Sequence, residues 1–316
     1  MNDQYEFLIV GAGISGLSLA RQFEKQGRNF LVVEKSKGVG GRMATRRGDG
    51  VLFDHGAQFY KIKENENWDL DRAWSEAGLT KQWFEQASSL YKCAPQGMTS
   101  LAKAMIAREN IAFEQRVISI HQEESSIYRI ECESGKQWRG QKIFLTAPLP
   151  QTLEILNRSN IQFPSALANI VYSPALVGLF EVEATAITIS EFQHQEFSST
   201  SLHSITNQLS KSMGSRLAFT VVMAPSWSRE RFDHNEESSL VEIENALIEK
   251  FKPLDSGFRV TSRQLKKWRY SHPESSYSQS YVRTGDDGNI FLLGDAFGGG
   301  SIRGACRSAE AVILAL

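Results

Sequence analysis

The 316-residue chain is predicted to belong to the α/β fold class, from a strand–helix–strand pattern at its beginning and related segments at its end. Residues 5–10 and 30–34 are short, continuous apolar runs, which are typical of strands buried on both faces of a parallel sheet. Between them, residues 15–26 carry apolar side chains at helical spacing, and Gly27 ends the predicted helix. This order predicts a βαβ unit with a right-handed crossover.

The end of the chain returns to the same pattern, so we expect a discontinuous first domain. Residues 289–293 form another apolar run, a Gly-Asp turn follows, and residues 303–315 have helical spacing. The section 151–265 is richer in Ser, Thr, Gln and Glu and predicts most of a second domain. The expected first domain comprises 1–60, 95–150 and 266–316, and the second comprises 61–94 and 151–265.

The remaining patterns predict further helices and strands in both domains. Helices are predicted where apolar or aromatic residues recur at helical spacing, at 66–84, 98–108 and 237–252. A small antiparallel layer is predicted at 111–119, 127–132 and 136–146, and further strands at 143–147, near 175–184 and near 217–224. We expect 36–50 to be loop and 51–60 to be extended or turn structure.

Composition and charge exclude several classes of protein. The formal net charge is -1, from 35 basic and 36 acidic residues, so the chain has no long-range attraction for nucleic acid or an anionic membrane. We find no signal peptide and no membrane-spanning run, which indicates a cytoplasmic protein. Cys93, Cys132 and Cys306 are widely spaced, so we interpret them as reduced thiols and expect no metal site.

The first motif with chemical meaning is the turn between the first strand and the helix. Gly11 permits a tight turn, Gly13 lets the backbone approach a pyrophosphate, and Gly16 lets helix and strand pack closely. The helix N-terminus offers N–H groups and a partial positive charge to phosphates. Glu34, at the end of the second strand, can accept hydrogen bonds from ribose hydroxyls and disfavours a 2′-phosphate. The motif predicts a dinucleotide site, without a choice between FAD and NAD.

Two further glycine-rich segments favour FAD. In Gly40-Gly41-Arg42 the arginine can pair with a diphosphate, although a solvated basic loop is the alternative because Arg46 and Arg47 follow. Gly294-Asp295 follows a predicted strand, where a carboxylate can hold a ribityl chain. The next helix can then stabilise the anion of a reduced flavin. The alternative for this third segment is a glycine-rich loop over the sheet.

With these motifs in place, the sequence resembles the flavin amine oxidase superfamily, and within it the renalase-like branch. The similarity extends over nearly the whole chain. It is carried by Ile9-Val10-Gly11-Ala12-Gly13-Ile14-Ser15-Gly16-Leu17, Glu34-Lys35, Gly40-Gly41-Arg42-Met43-Ala44-Thr45, Phe53-Asp54-His55-Gly56-Ala57-Gln58-Phe59, Gly97-Met98, Lys267-Trp268-Arg269-Tyr270 and Gly294-Asp295-Ala296-Phe297.

The resemblance implies a fold and a cofactor. It implies an FAD-binding Rossmann-like domain of the glutathione-reductase and amine-oxidase type, with a second, mixed-sheet α+β domain that binds substrate. FAD would be bound non-covalently, with Val117 contacting adenine through its backbone and Trp268 packing near the flavin ring. The residues implied to contact FAD are Gly11, Gly13, Ile14, Ser15, Gly16, Glu34, Lys35, Gly41, Arg42, Gly56, Ala57, Gln58, Val117, Gly294, Asp295, Arg303 and Gly304.

The resemblance also implies an activity. Renalase-like enzymes oxidise the 2- and 6-dihydro isomers of NAD(P) to NAD(P)+, with hydride transfer to the flavin and oxygen as the acceptor that yields hydrogen peroxide. The candidate substrate-site residues are Gln58, Trp268, His272, Arg269, Tyr60 and His55. For both histidines and Tyr60 ordinary packing is the alternative, and for Arg269 a surface carboxylate. The alternative functions are an amine oxidase, another flavin enzyme that oxidises C–N or C–C bonds, and a non-catalytic FAD-binding protein.

Overall fold

The structure is a computed structural model that describes residues 4–124 and 126–316, and the chain divides into two compact units. Unit 1 contains the described residues up to Gly41, together with Ala102–Val171 and Pro273–Leu316. Unit 2 contains Arg42–Leu101 and Tyr172–His272. Residues 42–60, 95–101 and 266–272 were expected in the first domain and lie in unit 2, whereas residues 151–171 were expected in the second domain and lie in unit 1. The functional division of the chain into two domains stays a prediction.

The chain opens with a βαβ unit, and farther along it several strands follow one another between helices. The helices of the described residues are α1 (Ile14–Lys25), α2 (Asp69–Glu76), α3 (Thr99–Lys103), α4 (Leu149–Arg158), α5 (Ile187–Glu191), α6 (Pro225–Arg231), α7 (Glu236–Phe251), α8 (Asp295–Gly298) and α9 (Ile302–Leu314). The strands are β1 (Gln4–Val10), β2 (Phe30–Val33), β3 (Thr45–Arg47), β4 (Leu52–Asp54), β5 (Tyr60–Lys63), β6 (Lys81–Gln86), β7 (Ser89–Cys93), β8 (Ile111–Ala112), β9 (Val117–Glu124), β10 (Ile127–Cys132), β11 (Gln137–Leu145), β12 (Tyr172–Glu183), β13 (His194–Glu196), β14 (Leu202–Asn207), β15 (Ala218–Met223), β16 (Arg259–Pro273), β17 (Val282–Thr284) and β18 (Ile290–Leu292).

Unit 1 is built on the predicted parallel sheet, which confirms the α/β class. The strand order is β17-β18-β11-β1-β2-β8, in which the strands from β18 to β8 are parallel and β17 is antiparallel to β18. One edge of β11 pairs with β1. On its other edge, the first half of β11 pairs with β10 and the second half pairs with β18. The predicted segments 136–146 and 143–147 are therefore one strand. The beginning and the end of the chain contribute strands to one sheet, as the apolar runs predicted.

Unit 2 contains a five-stranded sheet with an apolar cluster on each face. The strand order is β13-β14-β15-β12-β16. Leu176 and Phe180 of β12 belong to the cluster that includes the buried face of α7. Val177 and Leu179, at the alternate positions of β12, belong to a second cluster with Phe53. Because side chains alternate along a strand, the two clusters mark the two faces of this sheet.

Two predicted helices are shorter in the structure. The helix predicted at 66–84 ends at Glu76, and Trp83 and Phe84 lie on β6, where aromatic side chains pack well between neighbouring strands. The helix predicted at 98–108 ends at Lys103. Beyond it, the backbone N–H of Ala107 donates to the Glu24 carboxylate at 3.3 Å instead of continuing the helix. Within residues 4–124 and 126–316, no helix has the length and apolar character needed to cross a membrane.

Candidate functional site

The turn between β1 and α1 has the tight geometry that the glycine spacing predicts. Gly11 has a φ of +109°, which residues with a Cβ rarely adopt. A Cβ on Gly16 would lie 2.1 Å from the carbonyl oxygen of Gly11, so α1 can pack this close to β1 only with glycine there. A Cβ on Gly13, by contrast, would meet no protein atom within 4 Å. Open space therefore lies beside Gly13, at the N-terminus of α1.

Two buried polar groups beside this space fit a dinucleotide. The hydroxyl of Ser15 is buried and has no hydrogen-bond partner in the described part of the chain. Leaving such a group unpaired costs about 1–3 kcal/mol, so the position suits a phosphate oxygen. The Glu34 carboxylate accepts hydrogen bonds from the backbone N–H groups of Ala12 at 2.7 Å and Ser36 at 2.8 Å. Each carboxylate oxygen can accept a second hydrogen bond, which leaves capacity for ribose hydroxyls.

The second glycine segment meets the first in space. The backbone N–H of Gly40 donates to the carbonyl of Ala12 at 2.8 Å, and Gly40 forms a parallel β-bridge with Gly13. A Cβ on Gly41 would lie 3.5 Å from the Cα of Gly13. Two segments that are distant in sequence thus surround Gly13, and small residues on both sides let a diphosphate approach the backbone.

The third glycine segment connects β18 to α9 and contains the short helix α8, which packs closely against α9. Gly294 has a φ of +134°, and its N–H donates to the hydroxyl of Ser308 on α9 at 3.0 Å. Asp295 begins α8 and is 8% exposed. A Cβ on Gly304 would lie 2.1 Å from the carbonyl oxygen of Gly298, so these glycines let α8 and α9 touch.

The remaining residues predicted to contact FAD in unit 1 have defined positions. Ile14 begins α1, and Val117 begins β9 with its side chain buried. Arg303 Nη1 forms an ion pair with both carboxylate oxygens of Glu310, at 2.9 and 3.0 Å. A cleft of about 490 Å³ opens in unit 1 and is lined by Lys35, Ser36, Glu114, Arg116, Glu133 and Ser134.

Unit 2 contains a buried ion pair that the sequence did not predict. Lys211 Nζ lies 2.5 Å from Asp54 Oδ2, and both side chains are 0% exposed. Asp54 Oδ1 also accepts hydrogen bonds from the hydroxyl of Thr45 at 2.6 Å and the N–H of Met98 at 2.8 Å. Buried charges are tolerated when they are paired and their other hydrogen-bonding positions are filled. Lys211 stands in a polar segment without a motif, so only the fold reveals its partner.

This ion pair sets the orientation of two glutamine side chains. Gln208 Oε1 accepts hydrogen bonds from Lys211 Nζ at 3.2 Å and from the backbone N–H of Asp54 at 3.2 Å. Gln208 Nε2 then donates to Gln58 Oε1 at 2.9 Å. Gln58 Nε2 donates to the carbonyls of Asp54 at 2.6 Å and Gly56 at 3.1 Å. Because an ammonium group only donates, Lys211 determines the direction of each bond in this series.

The turn that follows Asp54 packs against the backbone of Arg42. The N–H of Ala57 donates to the carbonyl of Arg42 at 2.8 Å, and a Cβ on Gly56 would lie 2.0 Å from that oxygen. The Arg42 guanidinium donates to the carbonyl of Ser271 at 3.1 Å and lies 5.7 Å from the centre of the Tyr172 ring. The structure thus brings together Arg42, Gly56 and Ala57, which the resemblance assigns to FAD.

His55 and Trp268 form a stacked aromatic pair in unit 2. Their ring centres are 5.3 Å apart and their planes differ by 20°. Trp268 Nε1 donates to the carbonyl of His55 at 2.7 Å, which fixes the indole. Burial, followed by the nearby Lys266 and Arg46 cations, lowers the pKa of His55 to about 4. The imidazole is therefore neutral near pH 7, and its buried Nδ1 has no hydrogen-bond partner in the described residues.

Tyr60 takes part in a packed aromatic group. Its hydroxyl donates to the Asp71 carboxylate at 2.6 Å. Its ring lies 5.7 Å from that of Trp68 and 5.5 Å from that of Trp74, and the Tyr60 side chain is buried. These contacts match the packing alternative for Tyr60, and its role toward substrate stays a prediction.

Arg269 and His272 lie on β16 with exposed side chains. The Arg269 guanidinium lies over the ring of Phe232 at 4.6 Å and 3.6 Å from the carboxylate of Asp233. A surface carboxylate was the alternative partner for Arg269. The described contacts do not join Arg269 or His272 to the pair of His55 and Trp268, and their substrate contacts stay predictions.

Comparison with protein families assigns almost the whole chain. Residues 9–71 match the NAD(P)-binding Rossmann-like domain, and residues 69–313 match the flavin containing amine oxidoreductase family. The second match covers well over half of the chain.

One relative is similar in sequence over a short segment, and two solved structures are similar in fold over nearly the whole chain. A 48-residue segment, 15% of this chain and 10% of its relative, is 42% identical to a 4,4'-diapophytoene desaturase (4,4'-diaponeurosporene-forming) of Staphylococcus aureus. A structure assigned as a protoporphyrinogen oxidase from Exiguobacterium sp. 255-15 has a TM-score of 0.68 at 13% identity and covers 98% of both chains. Putrescine oxidase bound to putrescine has a TM-score of 0.66 at 12% identity and covers 99% of both chains. At these identities the structural likeness shows the fold alone.

Proposed function

Since the chain belongs to the flavin containing amine oxidoreductase family, and is therefore a flavin-dependent oxidoreductase, we propose that it oxidises the 2- and 6-dihydro isomers of NAD(P). The flavin would be non-covalently bound FAD, and oxygen would be the electron acceptor. The reaction consumes the dihydro isomer, one oxygen molecule and one proton, and yields NAD(P)+ and hydrogen peroxide. The observation that carries this proposal is the stacked, uncharged pair of His55 and Trp268.

The groove around Gly13 supports FAD as the flavin. FMN has a single phosphate, whereas the space beside Gly13, the unpaired Ser15 hydroxyl and the Glu34 carboxylate suit a diphosphate and an adenosine ribose together. Non-covalent binding is supported by the cysteines, because all three thiols are buried. Burial raises the pKa of Cys306 to about 12, which keeps it a weak nucleophile.

The pair of His55 and Trp268 suits a planar, uncharged ring. Bound FAD supplies a hydride acceptor and a route for two electrons to oxygen. The protein must then hold the substrate ring flat and exclude water, which stacked aromatic side chains do well. A histidine with a pKa near 4 is a poor proton acceptor at pH 7. This property suits hydride transfer from a dihydropyridine, which needs no base, better than deprotonation of an ammonium group.

A second candidate function is amine oxidation, and the contact between two tyrosine rings favours it. Tyr172 and Tyr270 form a perpendicular pair with ring centres 6.1 Å apart, and such a pair can bind an amine. However, the Arg42 guanidinium already lies over the Tyr172 ring and would repel a protonated amine.

Two measurements test the proposal. Heat-denatured protein should release all of its flavin as FAD, whereas FMN or flavin retained on the chain would contradict the cofactor assignment. In air, 2- and 6-dihydro-NAD(P) should each yield one NAD(P)+ and one hydrogen peroxide per oxygen consumed. Ordinary 4-dihydro-NAD(P) and putrescine are the comparison substrates. Peroxide formed from putrescine, with none formed from either isomer, would favour the amine oxidase instead.

A further inference from the structure

Strand register places Arg46 and His55 on one face of the β3–β4 ribbon. β3 and β4 are antiparallel, with Thr45 opposite Asp54 and Arg46 opposite Phe53. The N–H of His55 donates to the carbonyl of Ala44 at 3.1 Å, which extends the pairing by one residue. Side chains alternate between faces, so Arg46 and His55 share one face, whereas Asp54 points to the other, where it meets Lys211.

Alternation along β16 places Lys266 and Trp268 together. Leu265 packs against the cluster that includes the buried residues of α7, and Lys267 and Arg269 both lie over the ring of Phe232. Trp268 packs against the cluster on the opposite face of the sheet. Lys266 lies two residues before Trp268 and therefore shares its face. The two cations at 267 and 269 belong to the helix-covered face.

The stacking of Trp268 on His55 joins these two faces into one patch, the cationic patch, formed by Arg46, His55, Lys266 and Trp268. Electrostatics agree with this proximity. Burial lowers the pKa of Lys266 and Arg46 lowers it further, while Glu236 opposes both effects. The Glu236 carboxylate lies 3.7 Å from Lys267. Neither Arg46 nor Lys266 has a carboxylate within 4.0 Å in the described part of the chain.

We propose that Arg46 and Lys266 bind the phosphate groups of the substrate while its planar ring lies against His55 and Trp268. Two neighbouring cations without carboxylate partners are unfavourable alone and become favourable with an anion between them. The same two charges repel a protonated amine. The proposal rests on the proposed function for the identity of the ring, and it names the substrate class as a diphosphate-bearing molecule.

Equilibrium binding of ADP-ribose to the flavin-loaded protein tests this site without turnover. ADP-ribose carries the diphosphate and lacks the nicotinamide ring, so calorimetric titration measures phosphate recognition alone. We expect R46Q/K266Q to weaken binding by about tenfold or more, because charge-assisted hydrogen bonds to phosphate are lost. R46K/K266R keeps both charges and should bind within about threefold of the unchanged protein. R263Q/K267Q removes two cations from the other face of β16, where both pair with carboxylates of α7, and is the matched control.

The salt dependence of binding to the unchanged protein gives a second readout that needs no variant. Affinity should fall as salt rises from low to physiological concentration, and R46Q/K266Q should reduce this dependence. Equal weakening by R46Q/K266Q and R263Q/K267Q, or no binding of ADP-ribose at all, would overturn the phosphate site. Failure of the dihydro isomers to reduce the flavin, with ADP-ribose still bound through Arg46 and Lys266, would reject only the proposed ring chemistry.

Discussion

At the scale of single residues, the ion pair of Asp54 and Lys211 is the central structural feature of unit 2. It places two full charges where neither side chain reaches water. The pair is connected through Gln208 to Gln58, and Gln58 binds the backbone of the turn that follows Asp54. This turn carries Gly56 and Ala57, the residues that resemblance assigns to the flavin ring. The ion pair is therefore connected by hydrogen bonds to the turn that carries part of the candidate site.

Replacement of Lys211 tests this structural role. K211M leaves the Asp54 carboxylate buried without its cation, and we expect the free energy of unfolding to fall by about 3–5 kcal/mol. D54N/K211M removes both charges and should recover part of that loss. K267M, at a surface pair, is the matched control and should cost about 1 kcal/mol or less. Urea unfolding measures all three, and a K211M value as small as that of K267M would refute the role.

The pKa of His55 predicts a specific pH dependence of stability. The folded-state pKa of about 4 lies below the unfolded value of about 6.5, so the unfolded chain binds more protons between these values. The contribution of neutral His55 is complete above pH 6.5 and is lost as the pH falls toward 4, by about 2–3 kcal/mol. H55Q should flatten the fall in unfolding free energy across this window. H203Q, at an exposed position, is the control and should leave this fall unchanged. An unfolding free energy that falls with pH as steeply in H55Q as in the unchanged protein would contradict the lowered pKa of His55.

At the scale of elements, the glycines of the β1–α1 turn differ in their surroundings: Gly16 is closely packed, whereas Gly13 faces open space. A Cβ on Gly16 would collide with the carbonyl of Gly11, and a Cβ on Gly13 would collide with no protein atom. The same motif therefore contains one glycine that helix packing requires and one beside which there is space for the proposed diphosphate.

Alanine substitutions distinguish these two requirements. G16A should lower the thermal midpoint of the flavin-free protein, because α1 must move away from β1. G13A should leave that midpoint within a few degrees and weaken FAD binding by at least tenfold, because the methyl group occupies the diphosphate space. G38A, in a loop with no atom near its Cβ, is the control for both. Unchanged FAD affinity in G13A would contradict the placement of the diphosphate.

Elements with a repeating apolar pattern could be predicted from the sequence, and those determined by tertiary contacts could not. β1, α1, β2 and α7 follow directly from buried runs and helical spacing. Trp83 and Phe84 were predicted to lie on a helix, because the aromatic residues recur at helical spacing. They lie on strand β6 instead, and this spacing did not reveal the strand. Among the site residues, those in the glycine-rich turns could be predicted, because their motifs are short and continuous in the sequence. Lys211 and Lys266 become meaningful only when strand pairing brings distant segments together.

At the scale of the whole molecule, both units are assembled from separate stretches of one chain. Unit 1 supplies the groove around Gly13, and unit 2 supplies the aromatic pair and the cationic patch. Together, the two family matches span these stretches, from residue 9 to residue 313. The substrate that we propose has a flat ring and negative charge, to match an uncharged aromatic surface beside two cations without carboxylate partners among the described residues. These are the properties of a dihydronicotinamide dinucleotide and not of a protonated amine.

Anaerobic flavin reduction tests this central claim most directly. The flavin-loaded protein is mixed without oxygen with 2-dihydro-NAD(P), 6-dihydro-NAD(P) or putrescine, and the flavin absorbance is followed. We expect rapid bleaching by at least one dihydro isomer, with one equivalent of NAD(P)+ formed per flavin, and no bleaching by putrescine. A flavin that stays oxidised with both isomers, or that putrescine alone reduces, would contradict it.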